Sequence, residues 1–326
     1  MSSISIIIPL YNAEKFVNQA YDFICKQTVS LHLEIIFVDN NSKDTSLKMA
    51  KELAEIDSRV KVFQEKVQGA AAARNKGFDE SSGDFVYFYD VDDQLFDTTL
   101  EDLSSVLIND KSIDASFGKM YKSSLPISDI NRSDLDESNE IILKPKPYWG
   151  LKWFRDLSSV VGPPAFLYRR ETFLNIGKYD NRLRLGEDTA LDIQLGMTSK
   201  IAFIDKYVYL YLKHGESITD KVKASKSRAS MQWPRIIYSH IPFYLQHPEE
   251  KEYGKILKHK IYSSVPRIII ETKGFNERKK LKKKLLKDIQ PLKFPFVLQL
   301  LIGILVLFPS KFLLKIYLYK IMKHYL

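Results

Sequence analysis

Cysteine is nearly absent from this chain: Cys25 is the only one in 326 residues. One thiol excludes a disulfide framework and any cysteine-built zinc cage. A run apolar and long enough to cross a bilayer is missing as well. The best candidate is a stretch of 17 uncharged residues between Lys293 and Lys311 (FPFVLQLLIGILVLFPS), which holds Pro295 and Pro309. As a helix it reaches only about 25 Å against a hydrocarbon core of roughly 30 Å. The N-terminus has no basic stretch leading into a long apolar region, so the expectation is a protein without a secretory signal that stays on the cytoplasmic side. There is no internal repeat and no low-complexity tract.

Acidic residues are scarce at one end only. Residues 1–110 carry ten Lys and Arg against nineteen Asp and Glu, whereas residues 221–326 carry twenty-three against six. The overall net charge of +9 therefore hides an acidic front and a basic tail. The front needs a partner that tolerates or bridges carboxylates, such as a metal, and the tail needs an anionic one. With 45% hydrophobic and 27% charged residues the composition is globular, and the length suits one large domain with an extension. The expected division is a first domain over residues 1–220, in halves of about 1–110 and 111–220, and a basic helical region over 221–326.

The residues present alternate in character. ISIII at 4–8, closed by Pro9, reads as a buried parallel strand. Asn12 offers a cap to a helix from about Glu14 to Gln27. Strands follow at Glu34–Val38, residues 60–63 and Phe85–Tyr89, with helices at Leu47–Glu55 and Gly69–Gly77 between them. This βαβαβαβ order predicts an α/β fold with a mostly parallel sheet, whose ligands bind at the carboxyl ends of the strands. Asn12, Asp39 and the DVDD run at 90–93 all follow strand ends and converge by topology. Residues 123–147, polar and holding three prolines, read as a long connection. A helix is expected from Gly186 to Ser199.

Carboxylates crowded at a strand end repel one another unless a cation neutralises them. An all-oxygen set with few protein ligands suits Mg²⁺ or Mn²⁺, with water and phosphate oxygens completing the shell. An acidic turn capping the next helix is the plainer reading of a bare D-x-D. In GAAAARNKG (69–77) small residues let backbone approach a ligand and Arg74 offers a fork for a phosphate or base edge, unless the segment is an alanine-rich helix with a solvated Arg.

Five segments in order resemble the family 2 glycosyltransferases with the GT-A fold: IIIPLYN (6–12), VDNNSKDTS (38–46), GAAAARNKG (69–77), YDVDD (89–93) and GEDTALDIQLG (186–196). The resemblance covers roughly residues 1–215. It implies a nucleotide-sugar half at about 1–110 and an acceptor half at about 111–220. Pro9, Tyr11, Asp39 and Arg74 would line the nucleoside end, Asp90 and Asp92 would contact ribose and diphosphate, and Asp92 or Asp93 would hold Mn²⁺ or Mg²⁺. Asp188 would be the general base, flanked by Glu187, although acidic residues also suit a helix N-terminus for their own sake. His214 and, less strongly, Lys213 stand where relatives place contacts to the metal or the diphosphate. Relatives commonly have a second Asp where this chain has Asn40. The Gln-x-x-Arg-Trp signature of processive members is absent, which favours addition of a single sugar.

The resemblance further implies a nucleotide-sugar donor, with UDP as the nucleotide, and a cell-surface glycan or lipid-linked acceptor. Trp149 and Trp153 either stack on acceptor sugar or pack in the core, and Pro163 to Phe166 would form the floor beneath the donor sugar. Basic flanks around a short apolar helix suit a peripheral anchor on an anionic membrane surface. A helical pair packed on the first domain, or a homo-oligomer contact, accounts for the same residues. Nucleic acid is not an expected partner, since long aliphatic runs do not serve phosphate tracking. Two rivals remain: a nucleotidyltransferase, whose Gly-rich, Lys-containing turn is lacking in IIIPLYNAEKF, and a nucleotide-sugar-binding or scaffolding protein without turnover.

Overall fold

The computed structural model describes residues 2–213 and 227–326. They fall into two units, Met1–Ser217 and Ile218–Leu326.

The first unit opens with β1 (Ser3–Leu10), α1 (Val17–Cys25), β2 (His32–Asp39), α2 (Ser46–Ile56), β3 (Val60–Gln64), α3 (Ala70–Glu80) and β4 (Phe85–Phe88), the alternation expected from the sequence. These four strands lie in the order β3-β2-β1-β4, all parallel. Parallel strands covered on both faces need near-continuous apolar runs, and Ile4, Ile6, Ile7 and Ile8 are all buried. Because the strands run the same way, Leu10, Asp39, Gln64 and Phe88 end on one edge of the sheet.

The sheet continues through β5 (Gln94–Leu95), α4 (Thr99–Asn109), β6 (Ala115–Ser123), β7 (Ile141–Leu143), α5 (Tyr148–Arg155), β8 (Phe166–Arg169), α6 (Arg170–Asn175), α7 (Glu187–Thr198) and β9 (Ile201–Leu212). Strand β8 runs antiparallel between β4 and β6, β9 is parallel to β6, and β5 and β7 both pair antiparallel with β9. The connection expected at 123–147 thus carries a strand, β7, and two short 3-10 turns, Ile127–Asp129 and Arg132–Asp134. Three residues are too short a run for a period to show, so only the pairing with β9 reveals the strand.

Helices α5 and α7 meet through two glycines. A Cβ on Gly150 would come within 2.5 Å of the Met197 amide nitrogen, and a Cβ on Gly196 would strike the Gly150 backbone. Behind this contact Trp149 and Trp153 pack on Phe117 at ring-centroid separations of 4.9 and 5.3 Å. Both tryptophans are buried, so they are core residues and do not offer a stacking face to acceptor sugar.

The second unit is helical: α8 (Arg228–Arg235), α9 (Ile241–Gln246), α10 (Lys251–Glu271), α11 (Phe275–Asp288), α12 (Phe296–Leu307) and α13 (Lys311–Ile316). Helix α10 buries Leu257, Ile261, Val265 and Ile269 and packs against α11 and α12. The Arg278 Nε donates to the Val306 carbonyl at 2.8 Å, placing a cation on an orphan acceptor of the last turn of α12. Among the described residues no helix is long and apolar enough to cross a membrane.

Candidate active site

The carboxyl edge of the sheet is built from loops tied to one another. After β1 the backbone of Asn12 turns left-handed (φ 50°), and after β2 that of Asn41 does the same (φ 65°), a conformation Asn tolerates better than most residues. Asn12 does not cap α1, which starts at Val17 with Phe16 in the cap position. Its Oδ1 instead accepts from the Lys43 N–H at 2.7 Å, while its own N–H donates to the Ser42 hydroxyl at 3.1 Å. The loops after β1 and β2 therefore form one surface, with Pro9 opposite Val38 in the ladder, Tyr11 exposed and Asp39 buried at the strand end.

Asn40, only 2% exposed, explains its own departure from the family pattern. Its Nδ2 donates to the carbonyls of Glu65 and Val67 at 2.8 and 2.7 Å, and its Oδ1 accepts from the Gly69 N–H at 2.7 Å. A carboxylate has no N–H to offer those carbonyls. Asn40 is thus a clamp on the segment that starts α3, a role no local sequence signal announced.

Arg74, in the first turns of α3, is 5% exposed and lies between two carboxylates. Its Nη2 donates to Asp90 Oδ1 at 2.6 Å and its Nη1 to Glu187 Oε1 at 2.9 Å. The Tyr179 ring lies 5.2 Å from the guanidinium carbon. Burial opposes the charge, but Asp90 foremost, with Tyr179 and Glu187, outweighs it and holds the pKa well above the usual guanidinium value. The next residue, Asn75, donates to the Tyr179 carbonyl at 2.8 Å and accepts from its N–H at 3.0 Å. Sequence reasoning named Arg74 but passed over Asn75, whose one signal was a polar residue on the otherwise packed side of an alanine-rich helix.

Asp90, Asp92 and Asp93 follow β4. Burial, then the charges of Asp90 and Asp92, pushes the Asp93 carboxyl well above the carboxylate range, and the Leu212 N–H lends it a hydrogen bond. Asp93 therefore lies inward toward the end of β9, while Asp92 is half-buried. Burial also raises Asp90, against the pull of Arg74 and with the help of Asp92 and Asp188.

Gly186, left-handed at φ 72°, turns the chain into α7 so that Glu187 and Asp188 open the helix. Glu187 is buried on Arg74; burial and then Asp188 raise its pKa. Asp192, one turn on, is buried and raised well above the carboxylate range, first by burial and then by Asp188. Asp188 is half-buried and accepts from the Thr189 N–H at 2.6 Å. Its charge acts on Asp90, Glu187 and Asp192 alike, which brings the acidic loop and the start of α7 into one electrostatic site.

The remaining candidates are placed as follows. Lys213 is exposed, its N–H donating to the Ser123 carbonyl at 2.8 Å. His214 lies outside the described residues. Pro163 to Ala165 form a buried 3-10 turn held by the Tyr87 hydroxyl, which donates to the Pro164 carbonyl at 2.5 Å.

Among the described residues no three carboxylate, His or Cys side chains stand together as a ready metal cage. An ion of the Mg²⁺ or Mn²⁺ kind needs only one or two protein oxygens when phosphates and water supply the rest. Burial foremost, and then the neighbouring carboxylates, lift the Asp93 and Asp90 carboxyls, and a bound cation would offset both. The carboxylates at this edge therefore fit an ion that shares its ligands with a phosphate.

The chain is similar to known proteins in sequence and in fold. Over 219 residues the chain is 27% identical to the glycosyltransferase EpsJ of Bacillus subtilis, a match spanning 67% of this chain and 63% of EpsJ. Over 239 residues it is 26% identical to the glycosyltransferase GlyG of Streptococcus pneumoniae, covering 72% of this chain and 76% of that one. The crystal structure of S. aureus TarS 1-349 in complex with UDP-GlcNAc superposes with a TM-score of 0.67 at 18% identity, over 99% of this chain and 92% of that one, and so shares the fold. The sequence pattern of glycosyl transferase family 2 matches residues 5–177, from the first strand through the acidic loop to the approach to α7, and the chain belongs to that family.

Proposed function

We propose that the protein transfers a single sugar, with inversion, from a UDP-sugar to a hydroxyl of a cell-surface glycan or lipid-linked acceptor. The observation that carries this reading is the convergence of the loops after β1, β2 and β4 with the start of α7 at one edge of the sheet. There, one electrostatic site joins Asp90, Glu187, Asp188 and Asp192. The choice of uridine is supported by the shared fold with TarS, which binds UDP-GlcNAc.

In this reading Tyr11 and the Asp39 to Asn41 turn receive the nucleoside, and the loop at Asp90 to Asp93 receives the diphosphate. Asp188 takes the proton from the acceptor hydroxyl as its oxygen bonds to the anomeric carbon. The bond from that carbon to the diphosphate breaks on the opposite side, and the diphosphate leaves with the electron pair. Asp92 would hold a divalent cation, which would supply positive charge for the leaving group. Arg74 keeps the acidic loop and the start of α7 in fixed relation, so that the base and the leaving group stay in line. The basic second unit rests on an anionic membrane surface, where lipid-linked acceptors are found.

Donor hydrolysis and transfer, measured with Mn²⁺ across a panel of nucleotide sugars, test the proposal. Turnover of a UDP-sugar that chelation removes is the expected result. Donor binding without turnover of any of them points to a binding protein and overturns it.

A further inference from the structure

Helix α12 (Phe296–Leu307) carries no charge and one polar side chain, Gln299, and is otherwise apolar or glycine, a composition that belongs to a helix buried on most sides. Only one side is covered: Leu298, Ile302, Leu305 and Val306 are buried. On the other side Phe296 is 73% exposed, Leu300 54%, Ile304 44% and Leu307 55%, and the stripe runs on into Phe308 at 65% and Phe312 at 69%. At about 100° per residue, the four exposed positions within the helix, together with Val297 at 43% exposed, fall inside about 100° of its circumference. They form one continuous ridge.

The charges around the ridge are of one sign. Lys293 and Lys311 stand at its two ends and Lys315 just beyond, all exposed. On α11 the Lys282 Nζ donates to the Gln299 carbonyl of α12 at 2.9 Å. Residues 273–326 carry thirteen Lys and Arg against two carboxylates, Glu277 and Asp288, and no acidic side chain follows Asp288.

We infer that this ridge is the docking surface for an anionic lipid bilayer: its aromatic and aliphatic side chains enter the headgroup and acyl boundary while the lysines at either end meet lipid phosphates. The inference rests on the membrane part of the proposed function and deepens it by naming the face and the lipid charge. A helix of 12 residues, about 18 Å long, suits lying in the interface and is too short to span it. A second copy of the chain is the poorer occupant. Pairing two such ridges sets lysines against lysines at both ends with no carboxylate to answer them, whereas anionic headgroups satisfy both the charge and the apolar stripe.

The test is flotation of the full chain with vesicles of phosphatidylcholine alone or with about one-third phosphatidylglycerol. The expected result is binding to the anionic vesicles only, weakened by salt. Leu300→Glu with Leu307→Glu, and separately Phe296→Glu, should each lower the bound fraction about tenfold, with unchanged circular dichroism and unchanged donor turnover measured without vesicles. Flotation of both variants like the parent chain overturns the assignment of the face and leaves membrane binding in place. No flotation of the parent overturns both, and equal binding to neutral vesicles overturns the role of charge. A dimer in gel filtration that the variants split, with no flotation, assigns the ridge to a second copy instead. Turnover in the same preparations reports separately on the transferase reading.

Discussion

Arg74 and Glu187, 113 residues apart in the chain, meet at 2.9 Å, and the same guanidinium holds Asp90 at 2.6 Å. A buried cation between two carboxylates ties α3, the loop after β4 and the start of α7 into one rigid corner. Removing the cation leaves two buried carboxylates without their partner. Arg74→Ala should therefore cost about 3–5 kcal/mol of stability, read by urea denaturation, and should abolish turnover. Glu187→Gln keeps an acceptor for Nη1 and should cost less than half as much; equal losses in the two variants count against the bridge.

Asp188→Asn should lower transfer by about 100-fold to 10,000-fold, the usual share of a general base, while leaving donor affinity by calorimetry unchanged. Asp92→Asn should do the reverse and abolish the gain in donor affinity that Mn²⁺ provides. An unchanged transfer rate in the first variant removes Asp188 as the base, and an unchanged Mn²⁺ effect in the second moves the cation elsewhere.

Asn40→Asp restores the residue common in the family, yet here it should harm. A buried carboxylate would face the carbonyls of Glu65 and Val67, which now accept from the Asn40 amide. The expected cost is about 1–3 kcal/mol with a raised KM for the donor, measured by thermal unfolding and steady-state kinetics. A variant as stable as the parent removes the clamp.

Glu34 predicts the acid limb of the stability curve. Burial raises its pKa, but the Lys61 ammonium, the Ser5 hydroxyl and the Ser82 N–H outweigh burial and bring it down to about 2. The folded value lies below the unfolded one, about 4.3, so its contribution is fully present above that pH and is lost as pH falls from there through about 2. The size is about 3 kcal/mol. Glu34→Gln should flatten the fall in unfolding free energy across that window, and an unaltered fall assigns the acid limb to other groups.

Gly196→Ala puts a methyl group into the backbone of Gly150. Relief requires α7 to move off α5, and α7 begins with Glu187 and Asp188. The variant should lose about 1–3 kcal/mol and a larger share of kcat than of donor affinity. A Tm and kcat equal to the parent's show that the contact can open freely.

The strand and helix alternation of the first 110 residues, and the gathering of Asp39, Asp90 and Asp92 at one edge, were legible without any coordinates. Apolar period and turn chemistry act over a few residues, and parallel topology by itself sends every strand's carboxyl end to the same side. The family motifs and the segregation of charge into an acidic front and a basic tail were equally plain. Tertiary structure alone decided which partner each side chain took. Whether Arg74 met solvent or the carboxylates of Asp90 and Glu187, whether Trp149 and Trp153 faced sugar or Phe117, and whether Asn40 lined a ligand or clamped a loop all depended on contacts tens of residues away. The same holds for the exposed ridge of α12. The sequence left this short apolar run open between a membrane anchor and a packed helix, and only the packing of α10 and α11 on one side leaves the other uncovered. Such contacts are set by strand register and helix crossing, which no short window of residues encodes.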